Sequence, residues 1–391
     1  MRRLSVLVVL ICVCGLISQV LANPSSQRVL KVGVLFSKTG PMANSEKPLI
    51  EATLLGIDQV NELGVPIEEE RLRLQPIVVD GASDPTTFAK RAEELYRVHK
   101  VRIIFGCWTS DCRKAVLKVV ERERGLLFYP VQYEGGELSP NCVYSGLTAN
   151  QQLVPALDWL VEKGRSRVFL VGSDYVYPRS ANRFARQYFK EKDCIVVGER
   201  YRVRGSTEFK AIAKEILASR ADCVLNTING DSLASFFEAV QQAGVTAKNV
   251  PVLCTSMGEV EAQRIGAAAQ GAYACCGYFM SLDSPLNRLF KLKFQKAFGS
   301  DRVVDDAASM ACSQVWALAQ AIANNKAHST EPSQVREHVR GLIMDTPGGL
   351  VRYDPTNVHC WRVVRIARVV DKGQFHVVWS SELPLRPELA K

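Results

Sequence analysis

The chain has 391 residues, of which 47% are hydrophobic and 23% charged, and its formal net charge is +9. This composition excludes a disordered or fibrous chain, and the length favours two domains over one. The basic residues are spread along the sequence and mixed with acidic ones, as where Glu68–Glu70 precedes Arg71 and Arg73. A nucleic-acid-binding surface would cluster its basic residues, so we expect no nucleic-acid partner.

Residues 1–22 have the pattern of a cleavable secretory signal. Arg2 and Arg3 precede an apolar run from Leu4 to Val20, and Ala22 ends the segment. A basic start, an apolar centre and a small residue at the exit are typical of such signals. The run of about 17 residues is short for a bilayer span, which needs roughly 20. We predict export to the periplasm, with a retained N-terminal anchor or a lipid anchor as the alternatives.

Short β-branched runs alternate with longer amphipathic stretches in the remainder of the chain. The first series predicts, in chain order, strand 29–36, helix 51–63, strand 72–80, helix 86–99, strand 101–106, a helix from about Asp111 and strand 126–129. The second series predicts helix 151–163, strand 168–171, helix 179–192, strand 195–197, helix 207–219, strand 223–225, helix 232–243, strand 250–254, helices 285–298 and 305–324, and a β-rich end. This alternation predicts an α/β protein with two Rossmann-like lobes, each built on a parallel sheet.

Loops that follow parallel strands are where ligands bind in such folds. The loop Gly106–Asp111 places Trp108 at a strand exit and Thr109 and Ser110 at the start of a helix. The free N–H groups of a first helical turn bind carbonyl oxygens or anions, although simple helix capping is the competing interpretation. An indole in this loop suits the face of a flat ligand.

Polar and aromatic residues also follow other strands. Tyr133 lies in the loop after residues 126–129, and Tyr175 and Tyr177 lie in the equivalent loop of the second lobe. Two further loops contribute Asp231 and Ser256. Rings, hydroxyls and amides together suit a neutral planar solute that is rich in hydrogen-bonding groups, whereas packed structural loops are the alternative.

Motifs of the common enzyme classes are missing from the sequence. It contains no G-x-G-x-x-G, no P-loop, no G-x-S-x-G and no H-E-x-x-H pattern. The five histidines are scattered and the cysteines lack C-x2-C spacing. We therefore expect no enzyme activity, no metal and no cofactor. The ten cysteines after residue 22 lie mostly within apolar runs, which predicts buried thiols.

Two of these segments resemble a known family closely. Gly106-Cys107-Trp108-Thr109-Ser110 and the segment from Tyr129 to Gly135 are similar to the urea-binding proteins of ATP-driven urea uptake systems and to their relatives that bind short-chain amides. The likeness extends over most of the chain after residue 22. It departs at Asp111-Cys112, where small residues are common in the family, and is only partial from Cys254 to Glu261.

The resemblance implies a type I periplasmic binding protein fold whose lobes are joined by a three-segment hinge. It implies one lobe from residues 29–149 and 279–345 and another from residues 150–278 and 346–385. It further implies a urea or short-amide ligand and, as partner, the membrane permease of an ABC importer. The ligand-binding residues that it implies are Trp108, Ser110, Tyr133, Tyr175 and Tyr177, with Asp231 and Ser256 as weaker candidates. Thr109 is a further ligand-binding candidate because of its position at the start of the helix.

Three other functions remain open at this point. An amino-acid receptor of the same fold could use Glu259 and Ser110 for the ammonium and carboxylate of its ligand. An amidase could use Cys107 or Cys112 as a nucleophile with Glu134 as base, but no histidine lies in the cleft loops to activate a thiol. A cytoplasmic amide sensor is disfavoured by the signal segment.

Overall fold

The computed structural model of the protein describes residues 27–67 and 70–388. The predicted signal, residues 1–22, lies outside the described residues. Within the described part of the chain, no helix is both long enough and apolar enough to span a bilayer.

The strands and helices alternate along the chain. The strands are β1 (Gln27–Phe36), β2 (Val65–Ile67), β3 (Glu70–Asp80), β4 (Ile103–Gly106), β5 (Leu126–Tyr129), β6 (Cys142–Tyr144), β7 (Arg167–Ser173), β8 (Ile195–Arg202), β9 (Cys223–Thr227), β10 (Val252–Cys254), β11 (Tyr273–Cys276), β12 (Ile343–Thr346), β13 (Gly349–Tyr353), β14 (Cys360–Trp361), β15 (Arg365–Val369) and β16 (Phe375–Ser380). The helices are α1 (Ala43–Leu63), α2 (Pro85–Arg97), α3 (Ser110–Arg122), α4 (Ala149–Glu162), α5 (Val176–Glu191), α6 (Lys210–Ala218), α7 (Ser232–Gln242), α8 (Glu259–Ile265), α9 (Pro285–Phe298), α10 (Asp306–Asn324) and α11 (Pro332–Val339).

The first lobe is built on a six-stranded sheet with the order β2-β3-β1-β4-β5-β6. Strands β3, β1, β4, β5 and β6 are parallel, and β2 pairs antiparallel with β3. Val32, Val34 and Phe36 of β1 are fully buried, and so is Leu35 on the opposite face. Such doubly apolar strands are typical of a parallel sheet that helices cover on both sides.

The second lobe is built on a seven-stranded sheet with the order β16-β15-β11-β10-β9-β7-β8. Its five strands from β11 to β8 are parallel, and β15 and β16 are antiparallel. Side chains alternate between its two faces: Val224 packs with α6 and α7, whereas Cys223 and Leu225 pack with α4 and α5. The predicted α/β class with two lobes on parallel sheets is confirmed.

The chain crosses between the two lobes three times. It leaves the first sheet after Tyr144, returns after Cys276 and crosses again after Trp361. The position of the last crossing differs from the sequence-based boundary at residues 345/346. Val351, Tyr353 and Cys360 are buried in the core of the first lobe, because β13 and β14 extend the small sheet begun by β12. We propose a boundary after Trp361 instead.

Helix α1 begins at Ala43, eight residues before the predicted start. Pro48 lies inside the helix and obscures its apolar period in the sequence. The extra turns are held by Glu46, whose carboxyl group accepts hydrogen bonds from the backbone N–H of Ser37 at 2.6 Å and from the Ser37 hydroxyl at 3.0 Å. This side chain therefore joins the start of α1 to the loop after β1.

The cysteines of the described chain are free, and all except Cys194 are buried. The prediction of mostly buried thiols is confirmed.

Replacement of Glu46 by Gln tests its role in stability. Burial raises the pKa of Glu46 to about 8, so between pH 4.5 and 8 the folded chain holds a proton that the unfolded chain has released. Its contribution to the free energy of unfolding is full below pH 4.5 and is lost as the pH rises to 8. We expect the wild-type stability to fall by about 1.4 kcal/mol more per pH unit than that of E46Q between pH 5.5 and 7, where the difference in bound protons is close to one. Guanidinium denaturation measures this slope. The control E94Q removes an exposed carboxylate with a lowered pKa and leaves the slope unchanged. Equal slopes for wild type and E46Q contradict the assignment.

Candidate functional site

The carboxyl ends of the two parallel sheets face the cleft between the lobes. In each sheet the strand order reverses at one point, beside β1 in the first lobe and beside β7 in the second. The loops that leave neighbouring strands at such a point diverge and form a crevice where ligands bind. The candidate site is therefore bordered by the loops after β1 and β4 on one side and by those after β7, β9 and β10 on the other.

Polar contacts join the two walls of this cleft. Arg204 of the second lobe forms an ion pair with Asp111 of the first lobe at 2.8 Å, and its guanidinium lies 4.7 Å above the ring of Tyr175. Nδ2 of Asn44 donates to Asp231 at 3.0 Å across the cleft. Together with further bonds described below, these contacts hold the lobes in a closed arrangement.

Gln132 makes the central contact between the lobes. Its Nε2 atom donates to the Ser256 hydroxyl at 2.9 Å and to the Thr255 carbonyl at 3.2 Å. These three residues line a cavity of about 20 Å³ between the lobes, together with Trp108, Glu261, Asp305 and Asp306. One water needs roughly 10–15 Å³ by the same kind of measure, so in this closed arrangement the cavity has room for little more than one water and excludes large ligands.

The charge of the cavity wall has one sign. Glu261, Asp305 and Asp306 bring three carboxyl groups to it, and no lysine or arginine is among the described residues that line it. Asp306 is neutralised by Arg362, whose Nη1 lies 3.2 Å from Oδ2, and it also accepts from the backbone of Gly277 at 3.1 Å. Burial raises the pKa of both Glu261 and Asp305, and the nearby Glu261 carboxyl group raises the pKa of Asp305 further.

Unpaired polar atoms accompany these carboxyl groups. Nε1 of Trp108 is buried without a hydrogen-bond partner, and Oε1 of Glu261 has no partner of good geometry although the Ser45 hydroxyl lies nearby. A buried polar atom without a partner costs about 1–3 kcal/mol. A small ligand that carries both an acceptor and a donor could bond to the indole N–H on one wall and to the carboxyl oxygen on the other.

Two predicted residues line the cavity, namely Trp108 and Ser256. Thr109 is buried in the adjoining loop, and its hydroxyl has no partner. Asp231 lies at the rim, where it also accepts from Arg264 at 2.7 Å. Tyr177 is buried behind the second wall and donates to Gln152 at 3.2 Å.

Ser110 and Tyr133 are committed to partners within the first lobe. Ser110 donates to Glu134 at 2.6 Å and accepts from Arg113 at 3.0 Å. The Tyr133 hydroxyl lies 2.5 Å from Nε2 of His359, and its ring stacks on Tyr144. Neither side chain lines the cavity, because the buried guanidinium of Arg113 draws both toward the lobe core. Their expected contact with ligand therefore stays a prediction without support from this geometry.

Sequence reasoning missed Gln132, Glu261 and Asp305. Gln132 lies in a loop that was already singled out as polar, but its reach to the opposite lobe depends on how the lobes meet. Asp305 accepts from the N–H of Ala308 at 2.8 Å and Glu261 from that of Gly258 at 3.1 Å. Both look in the sequence like ordinary helix-capping residues, which conceals their position at the cleft.

A larger groove lies elsewhere, on the outer surface of the first lobe. It has a volume of about 640 Å³ and is lined by α1, α9, α10 and β12, with apolar residues such as Leu286, Leu289 and Ile343. It lies away from the carboxyl ends of the parallel strands, and most of the residues that line it are apolar. We therefore place the functional site in the cleft.

Comparison with known proteins agrees with this architecture. The family described as "Periplasmic binding protein domain" matches residues 30–389. A Brucella melitensis protein named Leu/Ile/Val-binding protein homolog 6 is 23% identical over 91% of this chain and 92% of its own length. The crystal structure of an ABC transporter solute-binding protein from R. palustris, in complex with 4-hydroxybenzoate, superimposes with a TM-score of 0.81 at 23% identity and covers 91% of this chain and 98% of that one.

A further match is confined to a short segment. In this match, 117 residues of the chain align at 33% identity with a Geobacillus stearothermophilus protein named limonene hydroxylase. The alignment covers 30% of this chain and 21% of that protein. The relatives that match most of the chain are solute-binding proteins and not enzymes. The family match covers residues 30–389, and the two α/β lobes with a cleft at their strand ends agree with it. This chain therefore belongs to the periplasmic binding proteins.

Proposed function

We propose that the protein captures urea or a short-chain amide in its cleft and delivers it to the membrane permease of an ABC importer. The observation that carries this proposal is the small cavity lined by three carboxyl groups and by no basic side chain of the described residues. Urea is small, neutral and donates through four N–H groups, which carboxyl oxygens accept. Trp108 offers the complementary donor for its carbonyl oxygen.

Anionic ligands fit this wall poorly. The carboxylate of 4-hydroxybenzoate, which the R. palustris relative binds, would lie against Glu261 and Asp305 without a cation to pair with. Such a carboxylate would lose its hydration without gaining a partner of opposite charge. Because the identity to that relative is only 23%, the similarity supports a shared fold but not a shared ligand.

An amino-acid ligand has the same difficulty at its carboxylate. The pair considered from the sequence, Ser110 and Glu259, is not brought together: Ser110 is bonded to Glu134, and Glu259 accepts from the backbone of Met280. Neither lines the cavity. Because the Brucella relative is named for binding leucine, isoleucine and valine, these amino acids are the ligands whose binding should be compared with that of urea.

The amidase alternative also lacks support in the geometry. Burial raises the pKa of Cys107 and of Cys112, so both remain thiols at neutral pH and are poor nucleophiles. Glu134, the base considered from the sequence, is engaged by Arg113 at 3.2 Å. These residues build the first wall of a binding cleft.

Ligand titration tests the proposal directly. We expect urea and acetamide to bind saturably and to stabilise the mature protein by about 2.7 kcal/mol at one hundred times the dissociation constant. Leucine and 4-hydroxybenzoate are expected to have no effect at the same concentrations. Calorimetry and thermal unfolding measure both. Saturable binding of either of the last two, with no response to millimolar urea, would disprove the assignment.

Replacement of Trp108 by Phe tests the indole donor. The ring is kept while Nε1 is lost, so we expect urea to bind about tenfold more weakly, equivalent to a hydrogen bond of about 1.4 kcal/mol. Trp316→Phe is the matched control, because the Trp316 indole donates to Gln59 at 3.2 Å on the far side of the first lobe. An unchanged affinity in W108F argues against the proposed ligand orientation.

The ion pair between Arg204 and Asp111 tests the closed arrangement. It joins the lobes only when they meet, so its loss lowers the closed population and with it the apparent affinity. We expect R204Q and D111N to weaken urea binding about fivefold each, and the double variant to do so no more than either single one. Arg91→Gln, which breaks a pair within α2, serves as control. If the two changes weaken binding independently, the pair is not the cause.

A further inference from the structure

The two carboxyl groups that approach each other from opposite lobes have a consequence for ligand choice. We propose that Glu261 and Asp305 are specificity-determining residues which select a ligand carrying two amino groups on one carbon, urea, over an amide that carries one. This inference rests on the proposed function and narrows it from urea or a short amide to urea.

The lobes touch where these carboxyl groups lie. Glu261 belongs to α8 of the second lobe and Asp305 precedes α10 of the first. A β-carbon added to Gly258 would lie 2.6 Å from the β-carbon of Asp305, so only glycine allows this approach. Both carboxyl groups line the same small cavity.

Each carboxyl group uses one oxygen to cap its own helix. Oδ1 of Asp305 accepts from Ala308, and Oε2 of Glu261 accepts from Gly258. The caps leave Oδ2 of Asp305 and Oε1 of Glu261 for another donor, and Oε1 of Glu261 is buried without a partner of good geometry. The side-chain amide of Gln132, which lines the same cavity, already donates to Ser256 and Thr255.

The unpaired indole of Trp108 points independently to a ligand in this cavity. The residue is 4% exposed, its Nε1 has no partner, and it lines the cavity together with both carboxyl groups. One donor and two acceptors on separate walls match the outline of urea, whose carbonyl oxygen accepts while its two amino groups donate in different directions.

Lobe closure makes this match selective. Closure removes both carboxyl groups from water and brings them toward each other, which is unfavourable unless each receives a hydrogen-bond donor. Urea supplies an amino group to each. Acetamide supplies one amino group and turns a methyl group toward the other carboxyl, whose oxygen then stays buried and unpaired.

Dissociation constants for urea and acetamide in three proteins test the proposal. In the wild type we expect urea to bind at least tenfold more tightly than acetamide. Glu261→Met removes the acceptor at similar size, and Asp305→Ser keeps a capping hydroxyl but removes the second oxygen. In both variants we expect the dissociation constant for urea to rise by tenfold or more and that for acetamide by less than threefold, so that the preference for urea is lost.

Glu259→Gln is the matched control on the same helix. Its carboxyl is equally buried but bonds to the backbone of Met280 outside the cavity lining, and we expect the preference for urea to be kept. Acetamide binding reports that each variant is folded. If the wild type binds neither ligand, the proposed function fails and this inference with it. If the wild type prefers urea and both E261M and D305S keep that preference, the inference alone is overturned.

Discussion

The first wall of the cleft depends on one fully buried guanidinium. Arg113 donates to Glu137 at 2.9 Å and to Glu134 at 3.2 Å, and it lies within 5 Å of the rings of Tyr129 and Tyr133. The loop that follows β5 is thereby fixed to α3. Removal of one partner from a buried charge of this kind destabilises the fold by several kcal/mol. The first wall is therefore rigid before any ligand binds. The hydroxyl of Tyr129 extends the network to the carbonyl of Trp108 at 2.6 Å, which sets the position of the indole.

The same interaction explains which site residues the sequence could reveal. Strand exits are visible because apolar runs end in polar loops, and that pattern alone located Trp108 and Ser256. It could not distinguish a side chain that faces the cleft from one that a buried arginine draws into the lobe, as happens to Ser110 and Tyr133. The polar residues that cross from one lobe to the other, such as Gln132, depend on the relative placement of two separately folded units, and no local pattern encodes that placement.

The fold was more accessible because it follows from periodicity over long stretches. Two series of alternating strands and helices were enough to give two parallel sheets and most of their elements. The misjudged features are those where local signals conflict: Pro48 hides the first turns of α1, and the short strands β13 and β14 have too few residues to show a period. The last crossing between lobes is set by the pairing of β12 with β13 and by the burial of Tyr353, which is a tertiary property.

The buried cysteines have a consequence for how an exported chain of this kind must mature. Ten cysteines enter a compartment that favours disulfides, yet all ten are unbridged in the described chain and nine of them are buried. The unfolded chain has no such protection. During folding, burial of the thiols in the core therefore competes with their oxidation. The same competition recurs each time that the chain unfolds. The functional lifetime of the receptor therefore depends more on its unfolding rate than on its equilibrium free energy of unfolding.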